Sequence, residues 1–96
     1  MLTSKQRALL RGLAMKEDPV LQIGKAGLTP EITAAAGEAL EARELIKIAV
    51  LNNCAEDIRG IAEKISERTR SELVQVIGGR LVLFRQNRKK PGIDIG

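Results

Sequence analysis

The chain has 96 residues, 44% of them apolar, a net charge of +4, one cysteine, one phenylalanine and no histidine, tyrosine or tryptophan. That length makes one domain able to bury a core of its own, roughly 60–68% of its unfolded surface. The missing residue types exclude a histidine-assisted nucleophile, a histidine metal site, a thiolate zinc cage and an internal disulfide, so neither an enzyme nor a metal or cofactor is expected.

No apolar run approaches the ~20 residues of a membrane span. Thr3-Ser4-Lys5-Gln6-Arg7 opens no signal-like apolar stretch. The expectation is a cytoplasmic protein without a membrane or a small-molecule substrate. The charge is polarised along the chain. Residues 1–18 hold four bases and two acids, net +2; residues 19–79 hold seven and nine, net −2; residues 80–96 hold five and one, net +4. Basic ends around an acidic middle suggest a polyanion partner.

The elements follow in order. Thr3 and Gln6 have capping-box spacing and predict a first helix. Leu2, Leu9, Leu10 and Leu13 form its apolar face, with Arg7 and Arg11 opposite, and Asp18-Pro19 closes it or its exit loop. Val20-Leu21-Gln22-Ile23 reads as a strand. Thr29-Pro30 then starts a second helix, with Thr29 as cap and Ile32, Ala35, Ala36, Ala39 and Leu40 as its stripe. Residues 44–51 are the clearest strand. Asn53 and Glu56 have the spacing of another capping box, ahead of a third helix with the stripe Ile58, Ile61, Ala62 and Ile65. Residues 73–77 and 81–85 flank Gly78-Gly79 as a hairpin. From Gln86 onward the chain is polar and basic and is expected to fray, so residues 1–86 are the domain and 87–96 a flexible tail.

The order α-β-α-β-α-β-β predicts an α/β fold, a two-layer α+β sandwich on one mixed four-stranded sheet. Strand phase puts Leu21, Ile23, Ile46, Ile48, Val50, Val74 and Val76 on one apolar face, joined by Val82 and Phe84. The second face then carries Gln22, Lys47, Gln75 and Arg85 and is expected to be partly exposed, the alternative being that the first helix covers it. Phe84 reads as core, Cys54 as a cap-region or core thiol, and Glu38 and Glu41 as a solvated helix face.

Gly24-Lys25-Ala26-Gly27 lies between a strand and a helix. Two glycines three apart leave room for a ligand backbone to approach backbone amides, with Lys25 adding charge. This is the physics of a GxxG loop that clamps nucleic-acid backbone; by itself the spacing equally fits a plain strand-to-helix turn. It is neither a Walker A loop nor a dinucleotide fingerprint.

The tract Val20-Leu21-Gln22-Ile23-Gly24-Lys25-Ala26-Gly27-Leu28-Thr29 resembles the signature of the YhbY-type family, the stand-alone bacterial form of the CRM domain. Arg43-Glu44-Leu45-Ile46-Lys47-Ile48, Leu73-Val74-Gln75-Val76-Ile77-Gly78 and Val82-Leu83-Phe84-Arg85 resemble its later blocks, so the likeness covers residues 2–86. The sequence departs from that pattern at Arg43, where histidine is common, at Ala49, where a base often stands, and at Phe84, where tyrosine is frequent. The resemblance implies a fold like the carboxy-terminal domain of translation initiation factor three. It also implies RNA binding through Gly24, Lys25, Ala26 and Gly27, and association with precursor large ribosomal subunits.

The expected function is therefore an RNA-binding factor for structured ribosomal RNA in ribosome biogenesis, with ribosomal proteins as further partners. The competing reading is a ribosome-associated protein adaptor without RNA contact. Arg7, Arg11, Lys25, Lys47 and Arg85 are expected to form one continuous basic surface, with Arg88, Lys89 and Lys90 as a mobile anchor.

Overall fold

The structure is a computed structural model that describes residues 2–95; Met1 and Gly96, the outer ends of the expected domain and tail, lie outside the described residues. Helix α1 (Ser4–Ala14) starts on the capping box its spacing predicts. Thr3 Oγ1 accepts from the Gln6 N–H at 3.1 Å, and Gln6 Oε1 accepts from the Thr3 N–H at 2.9 Å. Strand β1 (Leu21–Ile23) leads through the glycine loop into α2 (Pro30–Arg43). There Thr29 Oγ1 accepts from the Ile32 N–H at 3.2 Å, and Pro30 takes the first helical position, where no N–H is needed. After β2 (Leu45–Val50) comes α3 (Ile58–Thr69), then the hairpin of β3 (Glu72–Ile77) and β4 (Arg80–Phe84).

The capping box expected from Asn53 and Glu56 does not form. Helix α3 begins after Asp57, without a side-chain cap bond. The Glu56 carboxylate instead accepts from the Leu28 N–H and from the Lys64 ammonium, both at 3.2 Å.

The sheet order is β1-β2-β4-β3, with β1 parallel to β2 and both β4 pairings antiparallel. The last hairpin therefore inserts β4 beside β2 and leaves β3 at the edge. Helices α2 and α3 cover one face through Ala36, Leu40, Ile61, Ala62 and Ile65, packed on Ile23, Ile46, Ile48, Leu81 and Leu83.

The phase expected for β4 is reversed. Leu81 and Leu83 share the face of Ile46 and Ile48, while Val82 and Phe84 lie on the other face with Leu45 and Val74. All four β4 residues after Arg80 are buried, and a strand buried on both faces is one apolar run whose alternation carries no phase. A bulge completes the change. Leu73 pairs with Leu83 but Gln75 pairs with Val82, so Val74 is an extra residue that moves to the second face.

The second face is covered in part by α1, through Leu10 and Ala14. The leucine stripe read from the sequence is rotated: Leu10 is fully buried, whereas Leu9 is 44% and Leu13 37% exposed. The chain after β4, expected to fray, is tied down in the structure. Glu44, at the α2–β2 junction and 4% exposed, accepts from the N–H groups of Asn87, Gly92 and Ile93 at 2.6, 2.8 and 2.8 Å. Ile93 and Ile95 pack onto the second core. No helix among the described residues is long and apolar enough to cross a membrane.

Candidate nucleic-acid interface

The glycine loop is shaped from within and braced from outside. The Gly27 N–H donates to the Gly24 carbonyl at 3.0 Å and closes the turn. Gly27 has φ +71°, a region that side chains rarely adopt, and a Cβ there would collide with Glu56 Oε1. Gly24 carries no such restriction: a Cβ would meet Asn53 and Leu51 at 3.6 and 3.7 Å, ordinary contact.

Glu56 is thus the strut of the loop. The Leu28 N–H, then the Lys64 ammonium, hold its carboxyl below the ordinary value, against a smaller opposing effect of burial. Lys25 and Ala26 are exposed, and their N–H groups have no intramolecular partner among the described residues. Two open amides beside a lysine suit a phosphate oxygen. The end of α2 adds little, because Pro30 has no N–H and Thr29 already occupies the N–H groups of Ile32 and Thr33.

Strand register places the neighbouring cations. The loop follows the carboxy-terminal end of β1, beside the end of β2, where the Leu51 N–H donates to the Ile23 carbonyl. The hairpin turn lies at the same end, with the Val50 N–H donating to the Gly79 carbonyl. On the second face there, Lys47 and Ala49 share a side with Arg80, which pairs with Ala49. The carboxy-terminal end of α1 brings Arg11 and Met15 to the same groove, of about 350 Å³, together with Lys47, Gln75, Ile77 and Arg80. Arg80 was missed as a site residue. The Gly78-Gly79 turn fixes it opposite Ile77, and only the non-local pairing of β4 with β2 brings it beside Ala49, where the family pattern often has a base.

Two of the expected cations do not join this group. Arg7 is half-buried, and its Nη1 donates to the carbonyls of Leu73 and Val74, the latter at 2.9 Å, at the bulge of the edge strand. The bulge opens the β-ladder locally, and Arg7 satisfies the acceptors left there. Arg85 lies on the α2–α3 side, across the sheet from Lys47. It donates to the Thr69 carbonyl at 2.6 Å and the Gly37 carbonyl at 2.9 Å, and meets the Glu41 carboxylate at 3.3 Å. The continuous patch expected through Arg7, Lys47 and Arg85 is therefore not formed: Arg11, Lys47 and Arg80 line one groove, and the Gly24–Gly27 loop with Lys25 lies at the same end of the sheet. Arg88, Lys89 and Lys90 follow β4 and sit at the opposite end of the sheet, lining another groove with Arg85 and Glu41.

A mixed four-stranded sheet flanked by three helices, presenting a GxxG loop with open amides beside cations, defines a small α/β domain built around that loop. The chain belongs to the CRS1 / YhbY (CRM) domain family, which matches residues 2–85. It is 43% identical over 95 residues to the probable RNA-binding protein YqeI of Bacillus subtilis, covering 99% of each chain. An RNA-binding protein of Haemophilus influenzae is 39% identical over 84 residues, 88% of this chain and 85% of the relative. The solution structure of protein SAV1595 from Staphylococcus aureus superposes with a TM-score of 0.83 at 47% identity, covering 98% of each chain.

Proposed function

We propose that this protein is a non-catalytic RNA-binding factor that engages structured ribosomal RNA during assembly of the large ribosomal subunit. The observation that carries the reading is the pair of open amides at Lys25 and Ala26, at the sheet end that also gathers Arg11, Lys47 and Arg80. A phosphate held by the loop would leave neighbouring phosphates of the strand near those cations. The RNA-binding names of the relatives support the same partner. The ribosomal target rests on the resemblance to the YhbY-type family.

The one aromatic ring in the sequence, Phe84, is 3% exposed. No ring is left on which a splayed base could stack, so recognition falls to phosphates and to the 2′-hydroxyls and shape of an A-form helix. Binding is accordingly weakly sequence-specific and prefers folded RNA. Competition between a structured hairpin and a panel of single strands checks this. One single strand bound far above the hairpin would contradict it. In cells, crosslinking followed by sequencing of the attached RNA should recover precursor large-subunit RNA.

A second reading, a protein adaptor on the ribosome, is favoured by the exposed Leu9, Leu13 and Met15 on α1, at 44%, 37% and 83%. Lys25→Glu separates the two. It weakens an RNA contact and leaves an apolar protein contact unchanged.

A further inference from the structure

The far end of the molecule is a second cationic surface, and it is built. The buried Glu44 carboxylate gathers the N–H groups of Asn87, Gly92 and Ile93. Asn87 Oδ1 in turn accepts from the N–H groups of Lys89 and Lys90 at 3.0 and 3.2 Å. The backbone of a basic run is thereby fixed, with Arg88, Lys89 and Lys90 all exposed. With Arg85 they line a groove of about 600 Å³ in which Glu41, already facing Arg85, is the one carboxylate among the described residues. Helices α2 and α3 end on this side, which adds the exposed Arg43 and Arg70.

Two lengths separate this pole from the glycine loop: the six residues of β2, about 20 Å, and the 14 residues of α2, about 21 Å. Exposed Glu31, Glu38, Glu63 and Glu67 stand along the helices between the poles. On α3 these acids are matched by the exposed Arg59, Lys64 and Arg68, but α2 carries Glu31, Glu38 and Glu41 with no base before Arg43, so a polyanion is repelled along α2 and the two poles, about 20 Å apart, suit two separate RNA segments.

We propose that the Arg88–Lys89–Lys90 surface is a second phosphate-binding site, and that the protein clamps two RNA segments together, one at each pole. The inference rests on the reading that the loop pole binds RNA. The test uses two differently labelled RNA hairpins, each too short to reach both poles, in a fluorescence-transfer or co-capture assay with the full chain. Co-capture should rise and then fall with protein concentration, as excess protein occupies each hairpin singly. Replacing Arg88, Lys89 and Lys90 together with alanine should lower co-capture by about tenfold and single-hairpin affinity by no more than about threefold. Lys25→Glu with Arg80→Glu should abolish co-capture by emptying the other pole. Single-hairpin binding without co-capture, or co-capture that survives the triple substitution, would overturn the clamp and leave the loop reading standing. Failure to bind either hairpin would overturn both.

Discussion

Gly24 and Gly27 are equivalent in the sequence motif but not in the structure. Gly27 alone has a positive φ and a carboxylate where its Cβ would stand. Gly27→Ala should therefore cost at least about 1–2 kcal/mol of stability in chemical denaturation, and Gly24→Ala less than about 0.5 kcal/mol. The clean probe of ligand contact is Lys25, whose removal disturbs no internal bond. The arginines divide in the same way. Arg7→Ala should destabilise by about 1.5–3 kcal/mol through the two carbonyls it serves, while Arg11→Ala should leave stability within about 0.5 kcal/mol of the parent. Glu44 makes a prediction about acid. Burial raises its carboxyl, but the N–H groups of Asn87, Gly92 and Ile93 outweigh burial and leave it below its ordinary value of 4.5. A carboxyl lowered on folding stabilises the fold above its unfolded value, and that contribution is lost as pH falls through the lowered one. Hydrogen exchange at Asn87, Gly92 and Ile93 should thus show protection that is steady near neutrality and declines in acid below the ordinary carboxylate range. In Glu44→Gln that decline should be absent and protection low throughout.

Among the elements, how much the sequence reveals depends on how many faces each one buries. Helices α2 and α3 bury one stripe each, and Ala36, Leu40, Ile61, Ala62 and Ile65 are core as their spacing says. Thr3 with Gln6 marks the start of α1, Thr29-Pro30 that of α2 and Gly78-Gly79 the hairpin turn, because the chemistry of each is local. Strand β4 is buried on both sides, so Leu81-Val82-Leu83-Phe84 fits either phase, and that choice decided where Arg85 would point. The Val74 bulge has no local signal either, since it follows from pairing with a strand that comes later in the chain. In α1 three leucines fit more than one face, and Ala14, not Leu9 or Leu13, accompanies Leu10 in the core. Leu10→Ala should cost about 2–5 kcal/mol and Leu9→Ala less than about 0.5 kcal/mol in thermal or chemical unfolding. Equal losses would place α1 differently on the sheet. The glycine loop was legible because two glycines and a lysine between a strand and a helix state their geometry locally. Its brace, Glu56, was not, because it lies 28 residues away from Leu28 in the chain.

For the whole molecule, the basic ends of the sequence do not merge into one patch. The fold sends Arg11 and Arg80 to the loop end, and Arg88, Lys89 and Lys90 to the other. It withdraws Arg7 and Arg85 into bonds with carbonyls of the sheet edge and helical layer. The central claim is that Lys25, Arg11, Lys47 and Arg80 meet the phosphates of one RNA segment, and counterion release makes that claim quantitative. Four such contacts predict that the logarithm of affinity for a short RNA hairpin falls with the logarithm of salt at a slope of about −3.6, a loss of roughly 100-fold between about 50 and 200 mM. Lys25→Ala and Arg80→Ala should each reduce the slope by about one unit without unfolding the protein. A slope near zero, or one unchanged in both folded variants, would contradict the assignment of the loop end as the RNA interface.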